Sequence, residues 1–506
     1  MILAVLSILA TVYTRSMERV NSLDPLKAQS AYDSKVLQLI YETPLNVDYS
    51  ARPYRLTSGL CELPEVSEDG LTYTFHMVPD APLTANAVVA QLERLRDPAN
   101  AAAGGWTMSS VKAFHVVSDQ EFRVELKERR HVFPWMMAMT NAAIPGPDGK
   151  GTGPYRLAAW RKNHEMRFER NCAWRGWKTA KEIPGCAPVD TIRFYTIDDV
   201  STQWLMFLKG ELDFLGEISR DNWDAVVNEK GELDPRLVEQ GIQLYSVATM
   251  DVFYIGMNMR DPVVGKNKKL RQALSCAFDR ETWCRFYNNR ITPANGPVPP
   301  GVEGRLETPA EYGVYDVEKA KRLMAEAGYP GGIDPETGRR LVLTLAIGRP
   351  SQDSREMGEL LANFYEAIGV RFELAFYTWE AFVRAVNEGR VQLYLMGWVG
   401  DYPDAENFLQ LFHSKNASPG PNHSNYVNSE YDAAYDRAMA AESAEARNVQ
   451  WQTCQKILRE DCPWIFTHYS KVYSLMRERV KNYIPSHFPY GQEIELRIQT
   501  DENTRR

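Results

Sequence analysis

Between residues 250 and 400 the chain switches repeatedly between two hydrophobic periods. Val252, Tyr254 and Gly256 lead a strand that ends at Asn258, and Leu270 to Phe286 then reads as a helix. Asp316 caps another helix with Val317, Ala320, Leu323, Met324 and Ala327 on one face, and Gly328 and Pro330 stop it. Leu341 to Ile347 is a strand; Met357, Leu360, Leu361, Phe364 and Ile368 stripe the next helix, up to Gly369. Val370 to Phe376 is a strand, Trp379 to Asn387 a helix and Val391 to Met396 a strand. This βαβαβ run predicts one α/β domain over about residues 250 to 470, in which ligands bind at strand ends. Upstream, Leu71 to His76 alternates as a strand and Thr84 opens a helix to Leu95. The Gly/Pro-rich stretch from Pro145 to Gly153 marks a loop or boundary. Strands and amphipathic helices are mixed throughout, so the class is α/β or α+β and not a bundle.

The end of the last strand carries the most telling chemistry. The run from Val391 reaches Gly397-Trp398 and enters a turn bearing two carboxylates, Asp401 and Asp404. An acid beside an indole at a strand mouth can hold an ammonium group: the acid supplies charge and hydrogen bonds, the ring a flat apolar wall. An ordinary polar turn is the competing reading. Arg349 lies just past another strand of the same domain, and an Arg fork holds a carboxylate through two parallel hydrogen bonds; a solvated loop arginine is its plain alternative. Together the two suit a zwitterion such as a short peptide.

Size and charge narrow the field. At 506 residues the chain is too long for one core, so two or three domains are expected. A formal charge of −8 argues against nucleic acid as the main partner, because phosphate binding needs a basic face. Aromatics at 11%, with 12 Trp and 25 Tyr, fit either a large core or an aromatic-lined cavity. The seven cysteines form no CxxC or Cys/His cluster, so zinc is not indicated. Cys172 and Cys186 flank one loop and could pair in an oxidising compartment; the odd count leaves at least one thiol free. The apolar start, Met1 to Tyr13, is short and lacks basic residues before it: a clipped secretory signal or a first strand.

Enzymatic chemistry finds little support. The eight histidines are scattered with no HExxH, Gly146 to Gly153 does not match a phosphate loop, and no GxSxG occurs. Asp401 and Asp404, three apart in one turn, cannot straddle a sugar ring as a glycosidase pair would. Binding without catalysis is what survives, with no cofactor and no metal.

A series of motifs then carries a resemblance. Ser22-Leu-Asp-Pro25 precedes Val36 to Pro44; Gly151-Thr-Gly-Pro-Tyr155 leads to Phe168-Glu-Arg-Asn171, then Gly210 to Phe214. Tyr254-Ile-Gly-Met-Asn258, Leu270-Arg-Gln-Ala-Leu274, Ala277-Phe-Asp-Arg280 and Gly296 to Pro300 come next, and Tyr315 to Pro330 and Gly397-Trp398 to Asp401 complete the order. From about residue 8 onward the chain resembles the extracytoplasmic solute-binding proteins of the dipeptide/oligopeptide class (family 5) that feed ABC importers. The resemblance implies a two-lobed α/β periplasmic-binding-protein-like fold (class II, cluster C) with an extra subdomain in the first lobe. On that plan residues 8–48 and 155–250 belong to lobe I, 49–154 to the inserted subdomain, 251–470 to lobe II and 471–506 to the return into lobe I, with crossings near Ser246–Val252 and His468–Ser474. By similarity Asp401 would hold a peptide α-amino group, Arg349 its free carboxylate, and Trp398 would line the cavity; Asp404, Tyr402 and Asn258 complete the implied ligand-binding set. The implied partners are a small peptide or similar charged solute and the permease and ATPase subunits of an importer, met by a monomer outside the cytoplasm. Ser351 stands where dipeptide binders often place an aromatic, and family members also carry metal chelates, opines, glutathione and saccharides. A hydrolase is the minor alternative.

Overall fold

The computed structural model describes residues 10–500 apart from 18, 29, 147, 148, 150, 198, 217, 219, 229, 230, 419 and 488–491. Most of the apolar start, residues 1–9, and part of the 145–153 loop therefore lie outside the described residues. The chain forms two compact units: residues 1–247 with 472–506, and residues 248–471.

In the first unit the strand Val12–Met17 pairs in parallel with Thr191–Thr196, which pairs antiparallel with Glu165–Arg170, itself antiparallel to Tyr155–Arg161. Phe214–Leu215 joins Leu475 and Met476 antiparallel. A separate antiparallel sheet in the order Glu65–Val66, Thr72–His76, Glu121–Leu126, Val111–Ser118 is packed by the helix Ala85–Arg96, which Thr84 caps. Burial in this unit is mostly aliphatic and aromatic, with ionic exceptions: Lys35 Nζ lies 2.8 Å from Glu493 Oε1 and Arg15 3.4 Å from the same oxygen, while the buried Asp213 and Glu42 pair with Arg479 and Arg175 at 2.7 and 2.6 Å.

The second unit is built on one mixed sheet. Its strands are β1 (Asp251–Met257), β2 (Val342–Ile347), β3 (Arg371–Phe376), β4 (Leu393–Val399) and, over residues 464–471, the first part of β5 (Trp464–Arg477), whose remainder belongs to the first unit. Their spatial order is β3-β2-β4-β1-β5. β3, β2 and β4 are parallel, with Ile347 opposite Phe376 on one side and Leu395 on the other. β1 runs antiparallel to both β4 and β5. The helices α1 (Gln352–Glu366) and α2 (Trp379–Asn387) are the crossovers. In α1, Leu361, Phe364 and Tyr365 join Leu343, Leu345, Ile347 and Phe372 in the core, with Met357 and Leu360 packed against them. Each such fully buried side chain contributes about 1.5–3 kcal/mol by leaving water, before conformational entropy is subtracted.

The α/β class is as expected, but two boundaries differ. Leu270 to Phe286 is two helices, Lys268–Cys276 and Arg280–Phe286. The break comes at Asp279, whose carboxylate accepts from the backbone N–H of Glu281 and Thr282 and so starts a new helix. β4 also continues three residues past Met396, because Asp251 to Phe253 of the antiparallel neighbour pair with Val399, Trp398 and Gly397. All seven cysteines are unpaired thiols, including Cys172 and Cys186. No helix among the described residues is long and apolar enough to cross a membrane.

Candidate functional site

Because β2, β3 and β4 are parallel, the chain leaves all three at one edge of the sheet. Gly348-Arg349 comes after β2, the start of α2 after β3, and Gly400-Asp401 after β4. The backbone N–H of Tyr377 bonds the Ile347 carbonyl at 2.9 Å, tying the first two exits together.

Asp401 is exposed, and its backbone N–H lies 3.3 Å from Asn407 Oδ1. Asn407 also donates from Nδ2 to Asp401 Oδ2 at 3.4 Å and accepts from the Trp398 indole N–H at 2.9 Å. One fully buried amide thus orients both the acid and the indole. Desolvation by the surrounding protein pushes the Asp401 carboxyl above its ordinary value, and the Asn407 hydrogen bond works against that. Beneath Trp398, Gly397 is required by a close approach: a Cβ there would meet the Phe253 ring at 2.7 Å. That ring stacks on His468 at 4.6 Å between centroids, and His468 Nδ1 accepts from the Trp283 indole at 3.1 Å. Burial pulls the His468 pKa down to about 3, so the ring is neutral.

Arg349 is exposed at the same edge and has no ion-pair partner among the described residues. Trp379, at the first turn of α2, is a further candidate that sequence reasoning missed. It is 61% exposed, and its ring edge would lie 3.1 Å from a Cβ placed on Gly348, the residue before Arg349. A groove of about 470 Å³ runs from Trp379 along Val383, Arg384, Asn387 and Glu388. An exposed Trp offers a ligand wall at low side-chain entropy cost. Only its exposure and neighbours mark it, since a Trp opening a helix reads as core from periodicity. Asn407 was equally invisible, as a buried Asn in a one-turn helix has no sequence signature.

Three expected ligand residues are otherwise engaged. Asp404 is 6% exposed; its carboxylate takes a bidentate pair from Arg447 at 2.6 and 2.8 Å and caps the helix Ala405–Leu409 through the Glu406 N–H. Tyr402 is buried, with its hydroxyl on Glu406, which also accepts from Tyr435 at 3.2 Å. Asn258 is buried and donates to the carbonyls of Gly389 and Val391 at 3.1 and 3.2 Å while accepting from the Arg260 N–H. These three hold unit structure, whereas Asp401, Trp398 and Arg349 lie at or just past the same edge of the sheet. A hollow of about 790 Å³ in the first unit, lined by Arg94, Arg96, Lys112 and Lys127, is a wide surface depression. Its basic groups are mostly engaged, Arg96 with Glu93, Lys112 with Glu125 and Lys127 with the Ser109 carbonyl. Among the described residues no group of three or more His, Cys, Asp or Glu is placed to hold a metal ion.

Comparison with known proteins agrees with this architecture. Residues 55–420 match the family described as bacterial extracellular solute-binding proteins, family 5 Middle. Heme-binding protein A of Haemophilus influenzae is 25% identical over 485 residues, covering 88% of this chain and 84% of that protein. The dipeptide-binding protein of Escherichia coli is 25% identical over 490 residues, covering 87% and 85%. The structure of HbpA2 from Haemophilus parasuis superposes with a TM-score of 0.83 at 24% identity, over 97% of this chain and 99% of that one. A likeness at that identity establishes the fold.

Proposed function

Because the chain belongs to family 5 of the bacterial extracellular solute-binding proteins, we propose that it captures a short peptide by its two charged ends and delivers it unaltered to a permease. Membership makes it a non-enzymatic, solute-binding component of an ABC importer, in a family that works outside the cytoplasm. On this reading Asp401 receives the α-amino group, Arg349 the carboxylate, and Trp398 and Trp379 form aromatic walls. The observation that carries it is a single sheet edge with an unpaired Arg on one strand exit and an exposed, Asn407-oriented carboxylate beside an indole on the next but one in sequence. The proposed domain plan remains two lobes, with residues 49–154 as a subdomain of the first.

Ligand ends of opposite charge matter because a bound charge must be paired when it leaves water. An importer receptor also has to let go: micromolar affinity is about −8 kcal/mol, weak enough for transfer. Closure on the ligand then results from its better fit to the closed form. Among the alternatives, glutathione presents the same ammonium and carboxylate pair. Heme, bound by one relative according to its name, carries two carboxylates and no ammonium, and Asp401 would repel it.

Calorimetry with di- and tripeptides tests the reading. Asp401→Ala is expected to weaken the best peptide by about 2–5 kcal/mol, at least tenfold, as expected for truncating one partner of a desolvated charge pair. Unchanged binding by Asp401→Ala would remove the amine anchor. A heme or other non-peptide mass retained in native mass spectrometry would replace the peptide.

A further inference from the structure

A second carboxylate close to the Asp401 turn has no part in holding the peptide ends. Asp251, 6% exposed, opens β1 directly opposite Val399, the last residue of β4. Among the described residues it has no cationic partner. Its carboxylate is met instead by two donors far apart in sequence: the Ser470 backbone N–H at 2.8 Å and the Thr249 hydroxyl at 2.6 Å. Thr249 and Ser470 also bond each other, through Thr249 N–H and Oγ1 to the Ser470 carbonyl, both at 3.1 Å. Between Thr249 and Asp251 lies Met250, whose carbonyl accepts the Gly400 N–H at 2.6 Å. Gly400 is the residue before Asp401.

Burying a carboxylate without a cation is costly unless its hydrogen bonds are good. Short bonds to an ionised acceptor are the strong kind, and they hold both donors in one geometry. We infer that Asp251 is a positioning residue of the site: it clamps Thr249 to Ser470 and so fixes the Met250 carbonyl that anchors the turn presenting Asp401. What that turn is for rests on the amine-anchor reading; the mechanical link does not.

Hydrogen–deuterium exchange on the ligand-free full chain tests the link. In Asp251→Ala, peptides covering residues 398–402 should exchange at least tenfold faster while α1 stays as in wild type. Asp251→Asn, whose amide oxygen can still accept the Ser470 N–H while its NH2 donates to the Thr249 hydroxyl oxygen, should restore the rate to within about threefold. Unchanged exchange at 398–402, or equal acceleration in α1, would overturn the inference, the second by showing mere global loosening. If Asp251→Ala does not fold, Thr249→Val, which removes only the hydroxyl, carries the same test with a several-fold local acceleration expected. A parallel titration with alanyl-alanine keeps the two ideas apart. If Asp401→Ala binds it like wild type while the exchange result holds, the amine anchor falls and the clamp stands.

Discussion

At the residue scale the site is a small set of side chains whose titration matters. On the proposed reading Asp401 has to be ionised to hold an ammonium group, and its pKa is raised by desolvation. Peptide affinity should therefore fall as pH drops through a window above the ordinary carboxylate range, and binding there should release a proton, because an ammonium partner favours the charged form. Calorimetry from neutral to acidic pH, repeated in buffers of different ionisation enthalpy, measures both. For stability the sign is opposite: an acid raised in the folded state binds protons that the unfolded chain does not, so Asp401 favours folding at the low end of that window. The sequence singles out Asp401, Trp398 and Arg349, proposed here as ligand contacts, because each lies at the end of an apolar run that forms a strand. Asp404 stands out on the same signal. A carboxylate three residues further on looks equivalent in sequence, and only Arg447, 43 residues away, shows that it is engaged. Tyr402 and Asn258 are likewise engaged within the unit, since polar groups near a strand end serve the core as readily as a ligand.

At the element scale the turn after β4 is held from below. Asp404 and Arg447, both largely buried, tie it to the helix Ala444–Asp461, and Arg447 stacks over Trp451 at 5.3 Å. Arg447→Met should cost about 3–5 kcal/mol, because it leaves a buried carboxylate unpaired. Adding Asp404→Asn removes that charge and keeps a capping oxygen, so the double variant should be more stable than Arg447→Met alone; urea denaturation of the three proteins decides it. The βαβαβ order was readable from periodicity, because α1 and α2 are amphipathic and the strands between them are short apolar runs. The extension of β4 to Val399 was not, since its pairing partner is Asp251 to Phe253, about 145 residues earlier. The break at Asp279 was readable in principle as a capping Asp, but Leu270 to Phe286 continues the apolar period across it.

At the scale of the whole molecule, acid should be a strong lever on stability. His468 is buried neutral with a pKa near 3 against 6.5 when free, so the unfolded chain binds a proton that the folded one refuses. Its contribution is present above pH 6.5 and is lost as pH falls toward 3, on the order of several kcal/mol. His468→Gln, whose amide oxygen can still accept the Trp283 N–H, should flatten that slope when the urea midpoint is tracked from pH 7 to pH 4. The two-unit division has a further consequence. Residues 10–247 and 472–500 belong to the first unit, and the second departs and returns through neighbours, Thr249 and Ser470, that are hydrogen-bonded to each other. An excursion whose entrance and exit touch is closed on itself: the span that carries the edge with Asp401 and Arg349 begins and ends at one place along the fold.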